Sequence, residues 1–206
     1  MKILELPKIY AITNRGLSGL THLEQCRQLI EAGATLIQIR EKSLNSDELF
    51  EEVTECVALA RRNGVLLLIN DRIDIAIACD ADGIHLGQMD ISVADAKKLL
   101  GEDKIIGIST HNEEEVSGAL TTDANYIAIG PVFGTTTKEN PDPTLGIVSF
   151  EKLRGMISDR LVVAIGGITS GNFKEVLSAG ADSVAVIGAL YSKEDTIASN
   201  LRKFDS

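Results

Sequence analysis

The chain contains no tryptophan, only four prolines, three cysteines and three histidines, and aromatic residues make up just 4% of it. These shortages narrow the field. Cys26, Cys56 and Cys79 are odd in number and widely spaced, and no CxxC occurs. That excludes a disulfide framework or a zinc ribbon and leaves free buried thiols. Few prolines and no low-complexity tract argue against disorder. No apolar run approaches the ~18 residues of a membrane span. The opening MKILELPKIYAITN lacks a separate apolar signal region and a small-residue cleavage site, so a cytoplasmic location is expected. Positive charge is also scarce, with 20 Lys and Arg against 30 Asp and Glu, a formal charge of −10. Nucleic acid and anionic membrane are repelled by such a surface. An anionic ligand would need a local positive field or a divalent cation.

What is present suits one globular domain spanning residues 1–206, with 44% hydrophobic and 24% charged residues. About eight short apolar, β-branched runs recur: KIYAIT (8–13), TLIQIR (35–40), VLLLIN (65–70), GIHLG (83–87), KIIGIS (104–109), YIAIGP (126–131), LVVAIGG (161–167) and SVAVIGA (183–189). Their near-continuous apolar character predicts parallel strands buried on both faces. Helical patterns fill the intervals: THLEQCRQLIEAG, SDELFEEVTECVALARRNG, SVADAKKLL, NEEEVSGALT, SFEKLRGMI and SGNFKEVLSAG. Several begin on Ser, Thr or Asn, as helix caps do. EAGATLIQIR and SAGADSVAVIG echo one another as helix, Gly turn and strand. The pattern predicts a single α/β domain, a small (β/α)8 TIM barrel, with an open doubly wound sheet as the alternative.

In such a barrel the active site lies where the strands end. After the second run, Gln38 and Arg40 alternate with Ile37 and Ile39 and point inward. An inward Arg needs an anion or an ion pair, with Glu41 or Asp71 as the available partners. Asn70-Asp71 follows the third run and GQMD, ending in Asp90, follows the fourth. Two carboxylates on neighbouring loops suit a hard divalent cation; singly, each suits a helix cap. Ser109 follows the fifth run as a potential hydroxyl donor, beside Thr110 and Asn112, which also suit a cap. GPVFGTTTKEN follows the sixth, where Thr135, Thr136, Thr137 and Lys138 suit a multiply charged oxyanion or, alternatively, form a polar surface loop. Gly166-Gly167 and Ile187-Gly188 follow the last two runs, each expected at a helix start where backbone N–H groups receive a phosphate. Two anion places on one face imply a phosphate ester and a metal-bound diphosphate.

QIREK, NDR, GIHLGQMD, GIST, GPVFGTTTK, AIGGI and VAVIGAL, in this order, resemble the thiamine-phosphate synthase family. The resemblance runs from the first strand to the last. It implies condensation of 4-amino-2-methyl-5-hydroxymethylpyrimidine diphosphate with a thiazole phosphate, carboxylated or not. Pyrophosphate leaves, with CO₂ where the carboxylated thiazole is used, and Mg²⁺ is required. Carried over residue by residue, Gln38, Arg40, Lys42, Asn70, Ser109 and Lys138 would hold the pyrimidine diphosphate. Ile39 and Glu41, within the same QIREK stretch, are assigned to substrate binding with them. Asp71 and Asp90 would bind Mg²⁺. Thr135, Thr136, Thr137, Gly167, Ile187 and Gly188 would hold the thiazole phosphate. Arg40, Lys42, Ser109 and Lys138 are the expected catalytic residues. The family also suggests small-molecule substrates alone and a homodimer.

Other readings are a thiazole tautomerase on the same fold, a non-catalytic ligand-binding barrel, and a phosphate-sugar epimerase. His111 would be the acid–base group of a tautomerase or a polar helix-start residue. His85 is expected inside the barrel in a structural role, His22 at a helix start, and Tyr10 bordering the pyrimidine.

Overall fold

Alternation along each apolar run decides the architecture, because successive side chains leave a strand on opposite faces. In the computed structural model, which describes residues 4–135, 137, 142–192 and 195–205, both faces are buried. The elements in order are β1 (Ile9–Ile12), α1 (Arg15–Ser18), α2 (His22–Glu31), β2 (Leu36–Ile39), α3 (Ser46–Arg62) and β3 (Leu66–Asn70). α4 (Ile73–Ala78), β4 (Gly83–Leu86), α5 (Val93–Leu100), β5 (Ile105–Thr110), α6 (Glu113–Leu120) and β6 (Tyr126–Ile129) follow. The chain continues with α7 (Gly146–Gly155), β7 (Leu161–Ile165), α8 (Phe173–Ser178), β8 (Ser183–Val186), a 3₁₀ turn (Gly188–Tyr191) and α9 (Ile197–Arg202). The strands pair in sequence order, all parallel, and β8 closes on β1. This is the (β/α)8 barrel expected from the sequence; the open sheet is ruled out by that closure.

The two faces of the strands form two cores. Tyr10, Ile12, Leu36, Leu68, Tyr126, Ala128, Val163 and Ala185 fill the barrel. Their neighbours, among them Ala11, Ile37, Ile39, Leu67 and Ile69, pack outward under the helices. Ile39 therefore has its side chain in the outer layer at 1% exposure, since the period of two that turns Gln38 inward turns Ile39 out.

Helices start where a side chain can serve the free N–H groups of the first turn. Thr21, Asn45, Ser92, Asn112 and Thr196 each accept a backbone hydrogen bond three residues on. In α3, Asp47 and Glu48 occupy the first turn and Arg61 and Arg62 the last, matching the helix dipole. Two boundaries differ from the sequence reading. β7 stops at Ile165 because Gly166 and Gly167 have φ of 101° and 63°, outside the strand region. α8 starts only at Phe173, so Gly167 does not stand at a helix N-terminus. Between them the Asn172 side chain ties the loop, accepting from Thr169 N at 2.8 Å and donating to Gly167 O at 3.1 Å.

Candidate active site

The strand ends surround a cavity of about 370 Å³. Its floor is apolar, from Ala128, Val163 and Ala185, and its rim is polar. Gln38, Arg40, Asn70 and Ser109 line it on the β2–β5 side; Thr135, Thr137, Gly167, Ile187 and Gly188 line it on the β6–β8 side. Nine sequence-predicted residues thus share one space. Thr136 and Lys138 lie outside the described residues.

Arg40 reaches the cavity half-buried, and the two carboxylates named above as its available partners are engaged elsewhere. Lys42 Nζ pairs with Asp71 Oδ2. Glu41 Oε2 meets His22 Nε2 at 3.0 Å. Among the described residues no carboxylate answers the guanidinium, which leaves it directed at whatever the cavity holds.

Lys42, Asp71 and Asp90 form a corner beside this cavity rather than lining it. Asp71 has φ of 59°, a left-handed backbone uncommon outside glycine. Arg72, not Asp71, occupies the cap position of α4, so the helix-cap reading of Asp71 does not hold. Strained backbone at a carboxylate on a strand end is a frequent mark of function. Asp90 lies against Asp71, and its Oδ2 accepts from Gly87 N at 2.6 Å. Burial pushes the Asp90 pKa up; the Gly87 N–H and Lys42 oppose the rise, while the adjacent Asp71 charge adds to it. Two hard oxygen donors that repel one another fit a divalent cation between them, although no cluster of three such ligands occurs among the described residues.

Across the mouth the threonines organise themselves. Thr135 Oγ1 donates to Thr137 Oγ1 and accepts from Thr137 N, both at 3.2 Å. A Cβ added at Gly188 would come 3.6 Å from Thr137 Oγ1, so the hydroxyl and the start of the 3₁₀ turn face each other. At Gly167 a Cβ would meet Gly134 O at 2.5 Å. The absent side chain lets the β7 loop lie directly on the β6 loop, and the positive φ requires it as well.

Glu41 is not among the residues that line the cavity. Its Oε1 accepts from Lys42 N at 2.7 Å, Ser43 N at 2.6 Å and Ser43 Oγ at 2.7 Å. Burial alone would raise its pKa, but the hydrogen bonds from Ser43, His22 and Lys42 outweigh it and hold the group at about 2. His22 is fully buried, and its Nδ1 meets Thr13 Oγ1 at 2.8 Å. Thr13 Oγ1 in turn donates to Gln38 O and accepts from Arg40 N, at 3.2 and 3.3 Å. Thr13, His22 and Glu41 therefore brace the strand end that carries Gln38, Arg40 and Lys42. Sequence reasoning missed this brace; its only trace was a histidine and a threonine at positions that a surface helix start does not require.

Inside the barrel the polar side chains connect. Gln38 Nε2 donates to Tyr10 Oη at 2.8 Å, Tyr10 and Tyr126 hydroxyls meet at 3.2 Å, and Tyr126 Oη meets His85 Nδ1 at 2.8 Å. His85 Nε2 lies 2.8 Å from Ser109 Oγ. Burial drives both tyrosine pKa values up, so both phenols are neutral. From sequence Tyr126 reads only as a core or rim residue, and it is fully buried; Gly107 marks its closer role, since a Cβ there would fall 2.0 Å from Tyr126 Cζ. A glycine inside a strand signals such close approach. His111 lines the cavity too, held by Glu115 at 2.7 Å and Asp142 at 3.2 Å.

Comparison with known proteins agrees with this site. A family profile described as thiamine monophosphate synthase matches residues 9–190. A thiamine-phosphate synthase of Chloroflexus aurantiacus is 41% identical over 192 residues, covering 93% of this chain and 88% of the relative. One from Syntrophomonas wolfei is 43% identical over 188 residues, covering 91% and 90%. The solved thiamine phosphate pyrophosphorylase of Pyrococcus furiosus superposes with a TM-score of 0.85 at 35% identity, covering 96% of this chain and 93% of that one. The chain therefore belongs to the thiamine monophosphate synthase family of enzymes.

Proposed function

We propose that this transferase of thiamine biosynthesis joins 4-amino-2-methyl-5-hydroxymethylpyrimidine diphosphate to a thiazole phosphate, carboxylated or not, and releases pyrophosphate, with CO₂ as well where the carboxylated thiazole is used. The observation that carries the proposal is the cavity itself. An Arg40 guanidinium without a carboxylate partner faces it on one side, beside Lys42, Asp71 and Asp90; Thr135, Thr137 and Gly188 face it on the other. One place suits a diphosphate, the other a monoester.

In the reaction the bond from the pyrimidine methylene carbon to the diphosphate oxygen breaks, and a bond from the thiazole nitrogen to that carbon forms. The aminopyrimidine ring delocalises positive charge on the methylene, so departure of the leaving group is the hard step. Arg40 and Lys42 would stabilise the charge growing on the departing oxygens. Mg²⁺ held by Asp71 and Asp90 would neutralise part of the pyrophosphate charge in an otherwise acidic protein. Gln38, Asn70 and Ser109 would orient the pyrimidine, and the monoester site would hold the thiazole nitrogen in line. The apolar floor of Ala128, Val163 and Ala185 would keep water from trapping the carbocation. Nitrogen attack needs no general base.

The test mixes purified protein with both substrates and Mg²⁺ and follows thiamine phosphate and pyrophosphate together, with and without EDTA. Equal formation of both, abolished by EDTA and by Asp90→Ala, is expected. Absence of product with either thiazole form would reject the proposal and leave the tautomerase or a binding role.

A further inference from the structure

The hydrogen bonds within the barrel have a direction, and it can be worked out from the number of protons available. An amide nitrogen only donates, so Gln38 Nε2 places its hydrogen on Tyr10 Oη. A phenol carries one hydrogen. Among the described residues the Tyr10 hydroxyl meets Gln38 and Tyr126, so its hydrogen goes to Tyr126 Oη. The single Tyr126 hydrogen is then available for His85 Nδ1 at 2.8 Å. A ring nitrogen that accepts carries no proton, which leaves the ring hydrogen on Nε2. That hydrogen goes to Ser109 Oγ at 2.8 Å. Ser109 Oγ is thereby occupied as an acceptor, and its own hydrogen is turned toward the cavity it lines.

We infer that Tyr126 and Tyr10 are positioning residues: by relaying the polarity of the Gln38 amide through His85, they fix Ser109 as a hydrogen-bond donor into the cavity. Neither phenol needs to touch the reacting atoms for this. The acceptor would be an oxygen or ring nitrogen of the pyrimidine diphosphate, and that identity alone rests on the synthase reading. A purely structural role accounts for buried tyrosines less well. Phenylalanine would fill both positions with the same rings, but without the two hydroxyls nothing would link Gln38 Nε2 to His85 Nδ1. The neighbouring strand β5 is cleared to let the ring in, since Gly107, paired with Tyr126, leaves the space that the ring occupies.

The experiment is ¹⁵N-histidine NMR of the whole protein near neutral pH, with His85 assigned by its loss in His85→Asn. Long-range proton–nitrogen correlations report which ring nitrogen is protonated. The expected wild-type result is a single tautomer protonated at Nε2. Tyr10→Phe is diagnostic, because it removes a hydroxyl that does not contact His85; it should convert the single tautomer into a mixture. Tyr126→Phe should do the same and lower kcat about tenfold, with KM for thiazole phosphate unchanged. A wild-type ring protonated at Nδ1 or at both nitrogens overturns the inference. So does a Tyr10→Phe protein with an unchanged tautomer. Because tautomers are read without turnover, an inactive protein with the expected NMR pattern would refute the synthase reading and leave the relay standing.

Discussion

Replacing Glu41 by Gln should destabilise the protein strongly at neutral pH and weakly in acid. In the native state its carboxylate receives hydrogen bonds from Lys42, Ser43 and His22, and its pKa is lowered from 4.5 to about 2. The side chain is only 5% exposed, so solvent does little to screen these contacts. At 1.36 kcal/mol per pKa unit, the charged form is worth about 3 kcal/mol at pH 7. A depressed carboxylate pKa stabilises above the unfolded value, and that contribution is lost as pH falls through the folded one. By linkage the contribution shrinks to about 1.5 kcal/mol near pH 3 and fades below pH 2. Glutamine cannot recover it, since a neutral amide oxygen accepts the Lys42 and Ser43 hydrogen bonds more weakly than a carboxylate does. Urea denaturation of both proteins at pH 7 and pH 3 checks this. A gap of about 3 kcal/mol at pH 7 that narrows to about half at pH 3 is expected. Equal stabilities, or a gap independent of pH, would refute the brace as described.

Ser183 is fully buried, and its hydroxyl finds no hydrogen-bond partner among the described residues; Ser183→Ala should therefore be neutral or stabilise by about 1 kcal/mol, read as a rise in Tm. Gly107→Ala places a methyl group 2.0 Å from Tyr126 Cζ, and should cost about 3 kcal/mol in chemical denaturation because the buried ring has nowhere to go. Arg40→Ala removes the guanidinium that faces the cavity, and calorimetric titration should show pyrophosphate affinity reduced about 10- to 100-fold in the presence of Mg²⁺.

Much of this molecule was legible because its information is local. Each strand is a short, nearly continuous apolar run, so Asn70 and Ser109 could be placed at the barrel mouth because they end their runs, and Gln38 and Arg40 could be turned inward by alternation. Caps such as Asn112 are local as well, and its bond to Glu115 N spans three residues. What was hidden depends on contacts distant in the chain. Nothing near Glu41 announces that His22, nineteen residues earlier, will claim it. Tyr126 gains its role from Tyr10 and His85, on strands across the barrel. The late start of α8 arises from two glycines leaving the strand region and an Asn172 side chain closing the loop behind them. Asp71 resembled an ordinary cap until its backbone conformation was seen.

The central claim is that the diphosphate belongs on the β2–β4 side of the cavity and the monoester on the β6–β8 side. A crystal structure with thiamine phosphate, pyrophosphate and Mg²⁺ tests it most directly. The account predicts pyrophosphate on Arg40 and Lys42 with the metal on Asp71 and Asp90, and the ester phosphate against Thr135, Thr137 and Gly188. Pyrophosphate among the threonines, or a metal bound away from both carboxylates, would contradict it.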